Sequence, residues 1–305
     1  MSYQNSQMSA QTDRKKIHVF GKKKVIWHQI IRRSVQVAVL GFIGFLAIQH
    51  VVVGENGPAI TASPEAFCPF GGLETLYKFM AEGGTFVSHT HLSNVVLLIA
   101  VLLSAFLLRS SFCGWICPFG FIQDLISNFR NLMRKVFPAL NRTMLRINML
   151  GARFSTIDRI LRYIKYLVLV WAIGGSAYFG TMVFRDYDPW AALLNIAEFS
   201  FTPGVVILTI IVISSFFIDR PWCRYACPLG AVSGIVAKIS PTYLMRDRNT
   251  CTSCKICTKT CPMGLEIHSA NTIKNADCIG CLECVGACPS EGALVVKIGS
   301  PFTGK

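Results

Sequence analysis

The chain has 305 residues, of which 52% are hydrophobic and only 15% charged, whereas an ordinary soluble domain is about 25% charged. This composition and the mean hydropathy of +0.47 exclude an ordinary soluble enzyme, and they exclude disorder over most of the length. The net charge is +14. Because the basic residues stand in blocks beside apolar stretches, they indicate membrane topology rather than nucleic-acid binding.

The apolar segments predict a mostly α-helical membrane protein. Four membrane-spanning helices are expected, at about 34–53, 92–112, 163–184 and 199–219. The first segment contains no Asp, Glu, Lys or Arg, and about 20 helical residues cover the roughly 30 Å of a bilayer core. We therefore predict a basic arm over 1–33, a membrane domain over 34–239 and a separate C-terminal domain over 240–305.

The predicted orientation follows from the connections, because Lys and Arg stay on the cytoplasmic side. Basic residues crowd the N-terminal arm and the connection between the second and third segments, whereas residues 54–91 and 185–198 carry few. Both termini and the C-terminal domain are therefore predicted to be cytoplasmic, and 54–91 and 185–198 to lie outside.

A helical repeat of apolar residues separated by basic ones follows the second segment, from Phe119 to Val136. This pattern predicts an amphipathic helix. Such a helix would lie on the inner membrane surface, or it would pack against the C-terminal domain.

One motif occurs twice, 110 residues apart: residues 112–120 read FCGWICPFG and residues 222–230 read WCRYACPLG. Each copy follows an apolar segment, which predicts two parallel two-helix repeats related by an axis along the membrane normal. The four cysteines of the motif are Cys113, Cys117, Cys223 and Cys227.

Two arrangements of these cysteines are open at this stage. Each pair could lie on one face of a helix, at positions i and i+4, or the following prolines could begin new helices whose N-termini favour anionic ligands. The four thiols could hold a third [4Fe–4S] cluster between the repeats, act as redox-active thiols or disulfides, or be purely structural.

The C-terminal domain carries the most specific pattern. It contains two runs of the form C-x₂-C-x₂-C-x₃-C-P, which is the run of bacterial two-cluster ferredoxins, where the fourth cysteine of each run serves the other cluster. We therefore predict an α+β ferredoxin domain with two [4Fe–4S] clusters. The first set of ligands is Cys251, Cys254, Cys257 and Cys288. The second set is Cys278, Cys281, Cys284 and Cys261.

The outer side has a weaker candidate site. Cys68 lies in the predicted outside connection, and His50, His89 and His91 lie at the outer ends of the first two segments. A lone cysteine or histidine is usually a packing residue. The alternative is a quinone-binding or metal-binding corner, because a neutral imidazole can accept a proton from a quinol.

Motifs for other chemistry are missing from the sequence. It has no phosphate-binding glycine loop, no C-x-x-C-H haem motif and no nucleophile elbow. The motifs that the sequence does contain are those of electron transfer.

The duplicated motif and the two-cluster tail together resemble the NapH type of membrane ferredoxin and the membrane half of NosR. The resemblance covers about residues 34–290. It implies location in the bacterial inner membrane and electron exchange with the quinone pool and with periplasmic or membrane redox partners of the ferredoxin or cytochrome type. It also implies a ligand role for the tail cysteines and a redox role for the motif cysteines.

Two functional hypotheses follow. In the first, the chain is an electron conduit linking the quinone pool or a cytoplasmic donor to a reductase, at most a quinol dehydrogenase or electron-transfer subunit of a larger oxidoreductase. In the second, it is a thiol–disulfide conduit or a redox-sensing regulator of the NosR type.

Overall fold

The computed structural model describes residues 22–53, 70–72, 75, 92–136, 155–179, 183–194 and 202–299. Within these ranges the chain is mostly helical, and a small antiparallel sheet forms near the C-terminus.

The first half of the described chain contains five helices. They are α1 (Lys22–Val53), α2 (Leu92–Leu108), α3 (Ser111–Trp115), α4 (Pro118–Val136) and α5 (Ser155–Leu161). Five more helices precede the sheet. They are α6 (Ile164–Phe179), α7 (Pro189–Leu194), α8 (Pro203–Ser215), α9 (Pro221–Tyr225) and α10 (Pro228–Lys238). The remaining elements are β1 (Thr242–Arg246), α11 (Ile256–Thr260), β2 (Thr272–Ile273), α12 (Glu283–Gly286) and β3 (Leu294–Ile298).

Two helical stretches among the described residues are long and apolar enough to cross a membrane, Trp27–Gln49 and Ile157–Phe179. Only 11% of the most apolar part of the first stretch and 22% of that of the second are buried inside the protein. The core helix of a soluble protein would be mostly buried. Helix α8 and most of α2 are apolar but shorter. Exposed apolar side chains also mark these two helices, including Ile99 on α2 and Ile210 on α8.

The helix bounds differ from the predicted ones because local chemistry overrides hydropathy. Helix α1 begins at Lys22, so twelve residues of the predicted basic arm, 22–33, are helical. Helix α2 ends at Leu108 rather than at 112, since Arg109 adopts a left-handed backbone with φ of 60°. Helix α8 begins at Pro203, because proline is favoured in the first turn of a helix.

The two motif-bearing segments have the same order of elements. Each consists of an apolar helix (α2 or α8), a left-handed arginine (Arg109 or Arg220), a short helix (α3 or α9) and a helix that begins at proline (α4 or α10). In both segments the backbone N–H of the second cysteine, Cys117 or Cys227, donates to the carbonyl of the residue five positions earlier. The local structure is thus repeated along with the sequence.

The helices enclose an apolar core. Helix α10 packs against both α2 and α6. Leu98 and Val101 of α2, Leu169 of α6 and Leu229 of α10 are buried together there with Phe184.

Helix α4 has the predicted amphipathic character. It packs against α1 and α8, and it buries Phe119 and Phe121. Leu125, Phe129 and Leu132 are exposed on it, which leaves an apolar strip beside the neighbouring helices. This surface favours the membrane-surface interpretation of the helix.

The C-terminal part contains a three-stranded antiparallel sheet of order β2-β1-β3. Leu244 of the central strand pairs with Ile273 on one side and with Val296 on the other. Leu244, Ile273 and Leu294 form one buried cluster with Met263. The cysteine-bearing loops pack onto this cluster, so the sheet and the two short helices α11 and α12 give the mixed α and β content expected of a ferredoxin domain.

The ferredoxin part is fixed to the ends of the apolar helices by buried polar contacts. Arg109 donates to the carbonyl of Asn275 at 2.6 Å, and the Trp115 indole donates to the carbonyl of Gly280 at 3.0 Å. Lys165 of α6 is 2% exposed and pairs with Asp277.

Gly114 marks the tightest approach of the two parts. A Cβ atom at this position would overlap the carbonyl oxygen of Ile279 and would lie 3.4 Å from the Cα and Cβ atoms of Cys281. Only a glycine therefore lets the α3 loop reach the ferredoxin loop.

We predict that Gly114→Ala destabilises the protein by about 1–3 kcal/mol, the usual cost of overpacking. Gly41→Ala is the matched control, because a Cβ at this helical position would have no neighbour within 4 Å. That variant should keep or slightly raise the melting temperature. The measurement is thermal unfolding of the two variants in detergent, and equal melting temperatures would contradict the predicted contact.

Candidate iron–sulfur sites

The structure groups the tail cysteines in the two sets expected from the ferredoxin run. Burial raises the pKa of the Cys284 thiol, and so do the neighbouring thiols of Cys281, Cys278 and Cys261. These four thiols also line one small cavity. They therefore surround a common space, and a cubane takes one thiolate for each of its four irons.

The other set lies around Cys288. Burial raises the pKa of the Cys288 thiol, and the neighbouring thiols of Cys254, Cys257 and Cys251 raise it further. Cys254 is exposed to solvent. The sets therefore differ in access, because Cys278 and Cys284 of the second set are buried.

Left-handed residues shape both cysteine loops. Lys255 has φ of 59° directly before α11, and Leu282 has φ of 57° directly before α12. Each lies between the second and third cysteines of its triad. The reversal of the chain at these positions directs successive thiols to the same side of the loop.

The four motif cysteines converge as well. Cys113 and Cys117 from one segment and Cys223 and Cys227 from the other line a single cavity of about 280 Å³. Cys113 and Cys223 lie within the short helices α3 and α9, whereas Cys117 and Cys227 each directly precede a helix that begins at proline. The arrangement with new helices after each motif is thus the observed one, and the one-face i, i+4 arrangement is wrong.

Burial dominates the chemistry of these thiols. It raises the pKa of Cys113 and of Cys223 to about 12. The Cys227 sulfur accepts a hydrogen bond from the backbone N–H of Gly230 at 3.3 Å, and Gln123 donates to the Cys223 sulfur at 3.6 Å. Without a bound metal these thiols stay protonated at neutral pH, so they are poor nucleophiles.

A charged network that the sequence analysis did not single out lies beside the motif. Arg220 is fully buried and binds Asp124 with two hydrogen bonds of 2.7 and 2.6 Å. The guanidinium of Arg32 forms ion pairs with two carboxylates, that of Asp124 at 2.8 Å and that of Glu283 at 2.5 Å. One sequence signal was available, since Asp124 is the only acidic residue of the otherwise basic helix α4.

The outer candidate site lies largely outside the described residues. This holds for Cys68, His89 and His91. His50 lies in helix α1, but its side chain is outside the described part. The outer corner therefore stays a prediction.

Over the ranges that the structure describes, no group of three or more His, Cys, Asp or Glu side chains is arranged to hold a single metal ion. In a cubane, each cysteine binds a different iron. Thiolate ligands suit iron–sulfur clusters, so the donor sets of all three groups fit [4Fe–4S] clusters.

Family comparisons agree with this reading of the cysteines. A 4Fe-4S binding domain matches the chain twice, at residues 90–136 and 200–246. A 4Fe-4S dicluster domain matches residues 243–294.

Three relatives extend the comparison to whole proteins. YccM of Escherichia coli K12, which is named for electron transport, is 28% identical over 79% of this chain and 65% of its own length. The ferredoxin-type protein NapH of Escherichia coli K12 is 29% identical over 59% of either chain. The regulatory protein NosR of Stutzerimonas stutzeri is 30% identical over 58% of this chain and 23% of its own length.

The chain is a polyferredoxin of the NapH/NosR type. It carries 4Fe-4S binding domains and belongs with the iron–sulfur electron-transfer proteins of this type. The chain spans less than two thirds of YccM, NapH and NosR. No solved structure matches it.

We predict that Cys284→Ser lowers the iron content of anaerobically purified protein by about four atoms per chain, since a cubane contains four irons. Cys68→Ser is the matched control, because Cys68 is the one cysteine of the 13 outside the three sets. That variant should keep the iron content of the unaltered protein. Loss of iron from the control, or none from Cys284→Ser, would contradict the assignment.

Proposed function

We propose that the chain is a membrane-bound electron-transfer protein that connects the quinone pool with cytoplasmic and membrane or periplasmic redox partners. The observation that carries this proposal is the close approach of the motif cysteines to the second tail set. A Cβ atom at Gly114, next to Cys113, would lie 3.4 Å from the Cα atom of Cys281, and Cys113 and Cys223 pack against the ferredoxin core. Members of all three groups of thiols thus pack against the same core cluster.

The proposed ligands are the cysteines of the three groups. The first tail cluster would be held by Cys251, Cys254, Cys257 and Cys288. The second would be held by Cys261, Cys278, Cys281 and Cys284. A third would be held by Cys113, Cys117, Cys223 and Cys227. When bound, each cluster accepts and releases electrons at a potential that depends on its ligands, hydrogen bonds and solvent exposure.

Two observations support the third cluster. All four motif thiols line one cavity, and both segments that supply them match a 4Fe-4S binding domain. The raised pKa of Cys113 and Cys223 opposes the thiol–disulfide hypothesis, because thiol exchange requires a thiolate.

The proposed topology has four membrane helices in two parallel repeats. It is supported by exposed apolar residues on α1, α2, α6 and α8, such as Phe45, Leu103, Leu167 and Val206. In water, such large apolar surfaces would be unfavourable, whereas lipid covers them. The blocks of Lys and Arg favour a cytoplasmic location for both termini and the ferredoxin domain.

The same cavity supports the quinone link. Its apolar wall includes Phe42 of α1 together with Phe70, Phe184 and Trp190. Asp188 also lines it. An apolar wall with few polar groups is typical of small-molecule sites. Because the third cluster would occupy the space between the motif thiols, we place the proposed quinone ring at the exposed edge of this wall, where Phe42 lies.

We predict about twelve irons and twelve acid-labile sulfides per chain in anaerobically purified protein, which corresponds to three cubanes. The double variant Cys113→Ser/Cys223→Ser should retain about eight. Electron paramagnetic resonance of the dithionite-reduced samples should lose one component in the variant. About eight irons in the unaltered protein would confine the clusters to the tail and would favour the thiol hypothesis.

The quinone site has a separate test. Phe42→Trp should slow the oxidation of dithionite-reduced protein by a short-chain quinone about tenfold, the effect of losing about 1.4 kcal/mol of binding. Phe45→Trp is the control, because Phe45 lies on the same helix with 57% exposure against 55% for Phe42 and does not line the cavity. Equal rates in the two variants would place the quinone elsewhere.

A further inference from the structure

Two cysteine-bearing loops meet backbone to backbone at the boundary between the helices and the ferredoxin part. The first is the α3 loop, in which a Cβ atom at Gly114 would overlap the carbonyl oxygen of Ile279 and lie 3.4 Å from the Cα atom of Cys281. The second is the ferredoxin loop, in which the Gly280 carbonyl accepts the hydrogen bond of the Trp115 indole. The motif site and the second tail site are therefore neighbours.

Arg220 lies at this boundary with none of its surface exposed. Its Nη1 atom donates to the carbonyl of Cys113 at 2.7 Å, while Nε and Nη2 bind Asp124. Its backbone is left-handed, with φ of 50°, directly before the short helix that carries Cys223. The side chain of Arg220 thus contacts the first copy of the motif, at Cys113, and its backbone directly precedes the second copy, which contains Cys223.

The guanidinium of Arg220 lies close to both sites. It donates to the carbonyl of Cys113 in the motif set, and a Cβ atom at the next residue, Gly114, would lie 3.4 Å from the Cα atom of Cys281 in the second tail set. The carboxylate of Asp124 is shared between Arg220 and Arg32, so it does not cancel the charge of Arg220 alone. Both sites therefore lie in the field of the same buried cation.

Burying an ion pair rarely adds stability, because removing two charges from water costs about as much as their attraction returns. A buried arginine beside two redox sites thus calls for a reason other than stability. A [4Fe–4S] cluster becomes one unit more negative when it gains an electron, and a nearby fixed positive charge stabilises that reduced form. The reduction potential rises as a result.

We propose that Arg220 tunes the reduction potentials of two clusters at once, raising both the one held by the motif cysteines and the one held by the second tail set. The proposal rests on the proposed function, since it requires clusters at both sites. One shared charge shifts the two potentials in the same direction and so keeps them close. The electron that leaves one site is then the electron gained by the other, and no further oxidant or reductant takes part.

The test is a redox titration of anaerobically purified protein, followed by electron paramagnetic resonance. In Arg220→Met both potentials should fall, each by at least a tenfold change in the equilibrium constant for reduction, or about 59 mV for one electron. The first tail cluster should not shift. Arg220→Lys, which keeps the charge, should restore most of the potential.

Arg246→Met is the matched control. The guanidinium of Arg246 lies 3.8 Å from the sulfur of Cys251, in the first tail set. This variant should lower the reduction potential of the first tail cluster and leave the potentials of the other two clusters unchanged. The paired result would show that each arginine acts locally on its own clusters.

A second variant covers the case in which Arg220→Met loses its clusters or fails to fold. Asp124→Asn removes the counter-charge and keeps the guanidinium, so it should raise the two potentials that Arg220→Met lowers. Unchanged potentials in Asp124→Asn, or equal shifts of all three clusters in Arg220→Met, would overturn the proposal. If the unaltered protein holds only about eight irons, the third cluster fails, and the potential of the second tail cluster alone decides the role of Arg220.

Discussion

The close approach of the α3 loop to the ferredoxin loop is the constraint on which the remaining architecture depends. It requires a glycine at position 114, where a side chain would overlap the neighbouring backbone. It also requires the buried pair of Arg220 and Asp124, which satisfies the carbonyl of Cys113 at the junction. Arg32 extends the same network from helix α1 to Glu283 of the ferredoxin part. The apolar helices and the ferredoxin part are consequently one unit, with buried charges where two independent domains would have a hydrated gap.

The duplicated segments give this unit an internal symmetry that is only local. Both have an apolar helix, a left-handed arginine, a short helix and a helix beginning at proline. The side chains of the two arginines nevertheless bind different partners. Arg109 points its guanidinium at the carbonyl of Asn275 in the ferredoxin part, whereas Arg220 binds Asp124 within the helical part. A single ferredoxin part packs against two similar segments, so the two segments cannot make the same contacts with it.

Short-range chemistry made much of this protein predictable. The spacing of the tail cysteines predicts both sets of ligands, because the ferredoxin run is a local pattern in which the fourth cysteine of each run binds the other cluster. The apolar runs located α2 and α8, although hydropathy could not give their ends, which depend on the backbone of Arg109 and on Pro203. The pairing of Arg220 with Asp124 joins residues 96 positions apart. Such a contact leaves no periodic trace in the sequence. The convergence of the four motif thiols depends on packing between the repeats in the same way.

The exposure of Cys254 bears on where oxidative damage to the protein begins. Dissolved oxygen and other small oxidants act on the iron–sulfur centre that they can reach, and this cysteine is open to solvent while Cys278 and Cys284 are buried. Under the proposed function, oxidative damage would therefore begin at the first tail cluster, beside Cys254. A damaged molecule would lose this cluster before the second tail cluster, whose ligands include the buried Cys278 and Cys284.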